Sequence, residues 1–437
     1  MRLQFPKYIV SSFLTNSLWV ILGTFISKGI SFVSITLIAR ILGPEFFGEY
    51  NVVQATIGIF GSVAGLGFGL AATKLISEWR QKDIRKTERI IGSLYLLSFL
   101  ISLAVAIIFL LSSSWIANNL LDNKRLTILL QISCLIVIFD SINGVQNGVL
   151  SGFEAFKEIT VIGTIVGIVS APLLVAGAHF YGLTGLAAML LLTRFINVYI
   201  NSIYLKNKIF KTHDLKVKLR INNDVLKSVF GIGIPSFLGS LSTSATSWIS
   251  TTIFVNHPSG YTSLGTYNAA NQLRTLVLFL PDSVGKVTIP QMSNAYGNGD
   301  VKRFKSTVVL TLFWNLLLSV FVAIVVYFFG NLFQQYIGLE FEINNSLLIT
   351  VLLTGVLIAV NNAIGYILIC SNLIWYDFLS RIFWGIALIL LILFYGRYNG
   401  AIGYGISLLG ASIIHMITQI VILLVKLKNE SALPIED

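Results

Sequence analysis

Five basic side chains stand inside long apolar stretches of this 437-residue chain: Lys28, Arg194, Arg274, Lys286 and Arg381. In hydrocarbon such a cation costs roughly 3 kcal/mol on insertion scales, so each needs a counter-charge, water, a route to the interface or an anionic ligand. The chemistry these residues suit is the holding of phosphate rather than the making of bonds. Lys28 is the one charge in its stretch, with Ser27, Ser31 and Ser34 near its face. It reads as a cavity-lining group, with a buried structural charge as the alternative. Asn271, Arg274, Thr275, Asp282 and Lys286 follow helical spacing and form one polar stripe. Asp282 precedes Lys286 by four residues, the favourable order for an ion pair along a helix. Arg274 has no acidic neighbour three or four residues away, which makes it the sharper candidate for an anion contact.

Amides and a lone acid complete the set. Asn51 and Gln54 share a stripe with Gly58, Gly61, Gly65 and Gly69. The glycines read as surfaces for close helix packing and the two amides as cavity-lining groups that could bind sugar hydroxyls. Asn271 offers another amide. Asp140 shares a face with Asn143 and Asn147 and is a candidate for charge pairing, with Lys28 as one partner, or for ion coupling. Asp282 carries the same two readings. Arg194, and Arg381 with Asp377 four residues before it, read as charges near cytoplasmic helix ends that snorkel to the interface.

The elements that must position these groups are membrane helices. Apolar residues make up 55% of the chain and charged residues 11%, with a mean hydropathy of +0.82, too few polar groups to cover a water-facing surface. Apolar stretches long enough to span, about 20 residues each, recur twelve times, six before residue 206 and six after residue 224. Lys28 falls in the first, Asn51 and Gln54 in the second, Asp140 in the fourth, and Arg274 and Lys286 in the eighth. Pro235 in the seventh, and Pro281 and Pro290 in the eighth, are expected to interrupt their helices.

The halves are related. Gly48-Glu49-Tyr50-Asn51 is echoed by Gly265-Thr266-Tyr267-Asn268, 217 positions on (265 − 48). Asp83-Ile84-Arg85-Lys86 is echoed by Asp300-Val301-Lys302-Arg303 at the same offset (300 − 83). Two matches in one register describe one membrane unit present twice, the pattern of transporters with sites formed by repeats. The expected organisation is therefore an N-terminal six-helix lobe over 1–205, a basic cytoplasmic linker over 206–224 and a C-terminal six-helix lobe over 225–437. With the N-terminus inside, the inner segments hold 21 lysines and arginines and the outer segments four, which places both termini in the cytoplasm.

The basic balance, a net charge of +11, is spent on this topology, and nothing in it calls for nucleic acid. No P-loop, HExxH, GxSxG or Cys/His cluster appears, and Cys134 and Cys370 lie far apart in apolar runs. No loop expected outside is long enough for a catalytic domain. The sequence points to no enzyme, no metal and no cofactor.

The stretch Ala39-Arg40-Ile41-Leu42-Gly43-Pro44-Glu45-Phe46-Phe47-Gly48-Glu49-Tyr50 resembles the polysaccharide-transport branch of the MOP flippase superfamily, in particular Wzx-type O-antigen and capsule repeat-unit flippases. The resemblance covers the whole chain. It implies two six-helix bundles in a V around a central cavity, in the bacterial cytoplasmic (inner) membrane. There an undecaprenyl-pyrophosphate-linked oligosaccharide would be turned from the inner to the outer leaflet by alternating access, driven by an ion gradient. It implies membrane lipid, a polysaccharide polymerase and a chain-length regulator as partners. Relatives carry essential basic residues in the first and eighth spans, matched here by Lys28 and Arg274; their basic residue in the second span has no counterpart here. Two other readings stand beside this one: a multidrug/cation antiporter of the same superfamily, and a polytopic glycan polymerase or ligase.

Overall fold

A computed structural model describes the backbone of residues 7–371 and 373–430. It describes side chains from Ser27 to Val425, except those of residues 223, 224, 235, 286, 287, 290, 331, 339 and 372. Eleven long helices follow one another: α1 (Lys7–Gly65), α2 (Phe68–Trp79), α3 (Ile84–Trp115), α4 (Leu126–Gly152), α5 (Phe156–Tyr204), α6 (Asn223–Val255), α7 (Gly260–Gly297), α8 (Val301–Ile337), α9 (Asn345–Cys370), α10 (Ile374–Phe394) and α11 (Gly400–Glu430). Among the described residues there is no strand, as a hydrocarbon solvent requires of any chain that does not close a barrel.

Nine windows among the described residues are long and apolar enough to cross a membrane. Two of them, Ser27–Trp79 with 53 residues and Phe156–Phe210 with 55, are over twice the length of one crossing. Each holds a sharp break. In α1 the chain turns at Gly43 (φ 73°), and Pro44 opens the next arm, where its fixed φ is favourable and its missing N–H is no loss. In α5 it turns at Gly182 (φ 57°). α7 falls outside the nine windows, because its polar stripe dilutes an otherwise apolar helix.

The proline expectation needs correcting. α7 runs unbroken past Pro281 and Pro290, and α6 past Pro235. The second span, expected to be continuous, is instead broken at Leu66 (φ 38°) and Gly67 (φ 69°). Glycine takes this left-handed backbone at no steric cost, whereas a proline in a packed helix can be accommodated by its neighbours.

Both sequence echoes have a structural cause. Asp83 caps α3, its carboxylate accepting from the amide of Lys86 at 3.0 Å; Asp300 caps α8 and accepts from Arg303 at 2.9 Å. The Gly-x-Tyr-Asn element makes a helix crossing. A methyl on Gly48 would strike the carbonyl of Tyr261, and one on Gly265 would strike that of Pro44. Tyr261 is Pro44 displaced by the same 217 positions, so the contact is self-complementary in the manner of a two-fold interface. Asn51 donates to the Phe47 carbonyl at 2.6 Å and Asn268 to that of Leu264 at 3.0 Å, again in register.

The chain divides into two compact units, one of residues 1–42 and 53–244 and one of 43–52 and 245–437. This division follows packing rather than chain order. It differs from the lobe boundary at 206–224 in placing most of α6 with the first unit and a ten-residue piece of α1 with the second. Gly67 packs on the Gly233 backbone, which holds α6 to the first unit. The linker lies along α3, with the Lys216 amide donating to Glu88 and Ser93 Oγ to the Arg220 carbonyl.

Candidate functional site

The break at Leu66–Gly67 lies in the wall of a cavity within the first unit. Its volume is about 480 Å³, inside the range of about 300–1,000 Å³ usual for small-molecule sites. Gln54 and the glycine stripe form one wall, Asp140, Ser141 and Gly144 of α4 another, and Arg194 of α5 a third. Ser62 and Ser240 add hydroxyls. Ser141 Oγ donates to the Ala64 carbonyl at 3.1 Å, satisfying an acceptor that the end of α1 leaves without a helical partner. Irregular backbone at membrane depth is tolerated where it lines such a cavity.

The glycine stripe divides into two kinds. A Cβ on Gly58, Gly61, Gly65 or Gly144 would meet nothing within 4 Å, so these residues bound open space. Gly69 and Gly148 instead press against the backbones of Gly144 and Gly69, respectively. Packing therefore explains Gly69, and the cavity explains Gly58, Gly61 and Gly65.

Arg194 has a counter-charge. Its Nε lies 3.2 Å from Asp140 Oδ1, and the two side chains are 37% and 34% exposed. The partner of Asp140 in this structure is thus Arg194, on the neighbouring helix. The contact is close but off-line, since Arg194 Nε is buried without a hydrogen-bond acceptor. Asn143 accepts from Asn147 at 2.8 Å, while its own Nδ2 is buried without a partner.

In the second unit the polar stripe of α7 carries the clearest unmet demand. Arg274 packs its stem against Gly355 of α9, and its Nε and Nη1 are buried with no hydrogen-bond acceptor. Asn271 Oδ1, one turn earlier, is likewise buried without a donor. Asn271 is Gln54 displaced by 217 positions, so equivalent amides of the two repeats stand at polar places in the two units. The side chain of Lys286 lies outside the described residues, and with it the expected pair to Asp282. Lys28 is exposed and is not among the residues lining the cavity. Asn51 spends its Nδ2 on its own helix.

Asp377 and Arg381 form a second ion pair. Arg381 Nε donates to Asp377 Oδ2 at 2.9 Å, and Asp377 is only 5% exposed. Gln419 reaches Asp377 Oδ1 at 3.4 Å and Ser380 bonds the His415 ring at 3.1 Å, tying α10 to α11. Among the described residues no group of three or more His, Cys, Asp or Glu could hold a metal.

Sequence reasoning missed the Asp140–Arg194 pair and the break at 66–67. The Leu66-Gly67 dipeptide sits in a run with four nearby glycines and gives no local signal of its own. Arg194 follows Asp140 by 54 residues, so only the packing of α4 on α5 joins them.

The helices, breaks and paired units define a multi-pass α-helical membrane protein with a transporter fold. An inward-facing multidrug-resistance MATE family transporter of the MOP superfamily superposes with a TM-score of 0.72 at 16% identity, covering 94% of this chain and 100% of the other. A MOP superfamily transporter from Pyrococcus furiosus gives 0.68 at 16%, over 95% and 94%. The model of the polysaccharide biosynthesis protein family matches residues 13–296, and the chain belongs to that family. The MatE family model matches residues 235–372. A Shigella flexneri protein bearing the name of an O-antigen transporter is 24% identical over 354 residues, covering 79% of this chain and 81% of that protein. Stage V sporulation protein B of Bacillus subtilis is 23% identical over 311 residues, 64% of this chain and 58% of its own length.

Proposed function

We propose that this protein is a flippase of the bacterial cytoplasmic membrane. It turns an undecaprenyl-pyrophosphate-linked oligosaccharide, an O-antigen or capsule repeat unit, from the inner to the outer leaflet by alternating access driven by an ion gradient. Twelve crossings and cytoplasmic termini belong to this reading, supported by the two glycine breaks and the charge bias. So do a polymerase and a chain-length regulator as the partners that receive the translocated unit.

The observation that carries the reading is Arg274. A guanidinium whose Nε and Nη1 are buried without a protein acceptor is costly unless a ligand completes it, and a phosphate offers the matching oxygens. A pyrophosphate cannot enter hydrocarbon unaided, so a transporter for it must supply such donors. Asn271 and Gln54 suit sugar hydroxyls, and Lys28 and Lys286 add positive charge. A multidrug antiporter for cations would need the reverse polarity at Arg274. Deleting the gene in its host should abolish a surface polysaccharide while the lipid-linked unit accumulates on the inner leaflet. Normal surface polysaccharide in a strain with no second flippase would refute the proposal.

A further inference from the structure

The cavity of the first unit contains donors that the reading above does not use. α2 begins at Phe68, next to Gly67 in the cavity wall. Gly67 and Gly69, at this helix start, both line the cavity. Arg194 lines it too, with its guanidinium next to Asp140 but with Nε buried and unaccepted. The guanidinium borders a space of about 480 Å³, walled by glycines that leave it open.

The Asp140 contact is the kind an incoming anion can displace. A sound arginine–carboxylate pair is a two-pronged fork with aligned N–H groups. Here a single Nε–Oδ1 approach of 3.2 Å lacks that alignment, and both groups are about one-third exposed. Asp140 lowers the cost of Arg194 without making its best hydrogen bonds.

We propose that Arg194 forms an oxyanion subsite in this cavity, and that Asp140 occupies Arg194 until a ligand oxyanion takes its place. The inference rests on the flippase reading and adds to it: the headgroup turned by this protein carries an oxyanion that the first unit holds. That oxyanion is a carboxylate on an acidic sugar or a phosphate. Asp140 then acts as a selectivity device, because a neutral sugar gains nothing by displacing it and leaves the cavity's donors unmet.

The test uses the full-length protein in lipid nanodiscs and soluble probes, glucuronate, inorganic pyrophosphate and neutral glucose, read by ligand-induced thermal shift and calorimetry. Asp140→Asn removes the resident competitor and should tighten oxyanion binding about fivefold or more while leaving glucose unchanged. Arg194→Gln should weaken it at least about tenfold, and Arg194→Lys should fall between, retaining charge but not the fork. Preference for glucuronate assigns an acidic sugar; preference for pyrophosphate assigns a phosphate. Equal oxyanion binding by the wild type, Asp140→Asn and Arg194→Gln would overturn the proposal. So would an Asp140→Asn protein that loses stability and gains no binding, which marks the pair as a strut. If Asp140→Asn does not fold, Arg194→Lys decides alone: unchanged binding overturns the subsite. Because these readouts are binding, they are separable from transport. A protein that binds oxyanions in this pattern but moves no lipid fails the flippase reading and keeps the subsite.

Discussion

Replacing Arg274 by glutamine should separate ligand binding from folding in a way that few membrane arginines allow. Two guanidinium nitrogens, Nε and Nη1, lack acceptors in the unliganded protein. Hydrogen bonds to charged groups contribute about 1.5–3 kcal/mol each, so two made to a pyrophosphate amount to about 3–6 kcal/mol. At 1.4 kcal/mol per tenfold, Arg274→Gln should weaken binding of the lipid-linked substrate by about 100-fold to 10,000-fold. The same substitution removes an unsatisfied buried donor, whose burial costs about 1–3 kcal/mol, so the unliganded variant should melt at or above the wild-type temperature. Arg274→Lys should recover part of the binding, since the charge survives and the fork does not. The assay pairs substrate titration in nanodiscs with thermal unfolding without ligand. A variant that melts well below the wild type yet binds substrate normally would show that Arg274 is a structural charge and refute the reasoning.

Gly61→Leu should abolish glycan binding with little loss of stability, because its Cβ enters open space in the cavity; unchanged affinity would place the glycan elsewhere. Gly48→Ala and Gly265→Ala, at the self-complementary crossing, should each destabilise by about 1–3 kcal/mol or more, since the added methyl meets backbone rather than a movable side chain. Wild-type melting of both would mean that the crossing is not under packing constraint. Lys28→Glu should impair transport more than Lys28→Ala, as it repels pyrophosphate besides removing attraction, and equal activity of the two would remove Lys28 from the substrate path.

The sequence made the helical class, the repeat and the candidates on single helices legible. Helical spacing alone puts Asn271 one turn from Arg274, and the absence of an acid at three or four residues already marks Arg274 as unpaired within its helix. The repeat was visible through caps and a crossing that demand particular residues: Asp83 and Asp300 because a helix start needs an acceptor, Gly48 and Gly265 because no side chain fits. Properties that depend on two distant helices stayed hidden. Arg194 looks like any arginine near a helix end until α4 brings Asp140 beside it. The glycine stripe has the same spacing whether a partner helix or a cavity lies against it, so Gly61 and Gly69 could not be told apart. The break at Leu66 escaped notice for a related reason: prolines advertise kinks, yet here the surrounding helices tolerate Pro281 and the glycine at 67 does the breaking.

The most direct test of the central claim is translocation by the purified protein in sealed liposomes. Undecaprenyl-pyrophosphate-linked oligosaccharide, placed in one leaflet, is followed by its accessibility to a membrane-impermeant lectin or glycosidase. The account predicts movement to the opposite leaflet with the glycosidic and pyrophosphate bonds intact, lost in Arg274→Gln. Movement no faster than in protein-free liposomes under every imposed ion gradient would contradict it, as would movement that Arg274→Gln leaves unchanged.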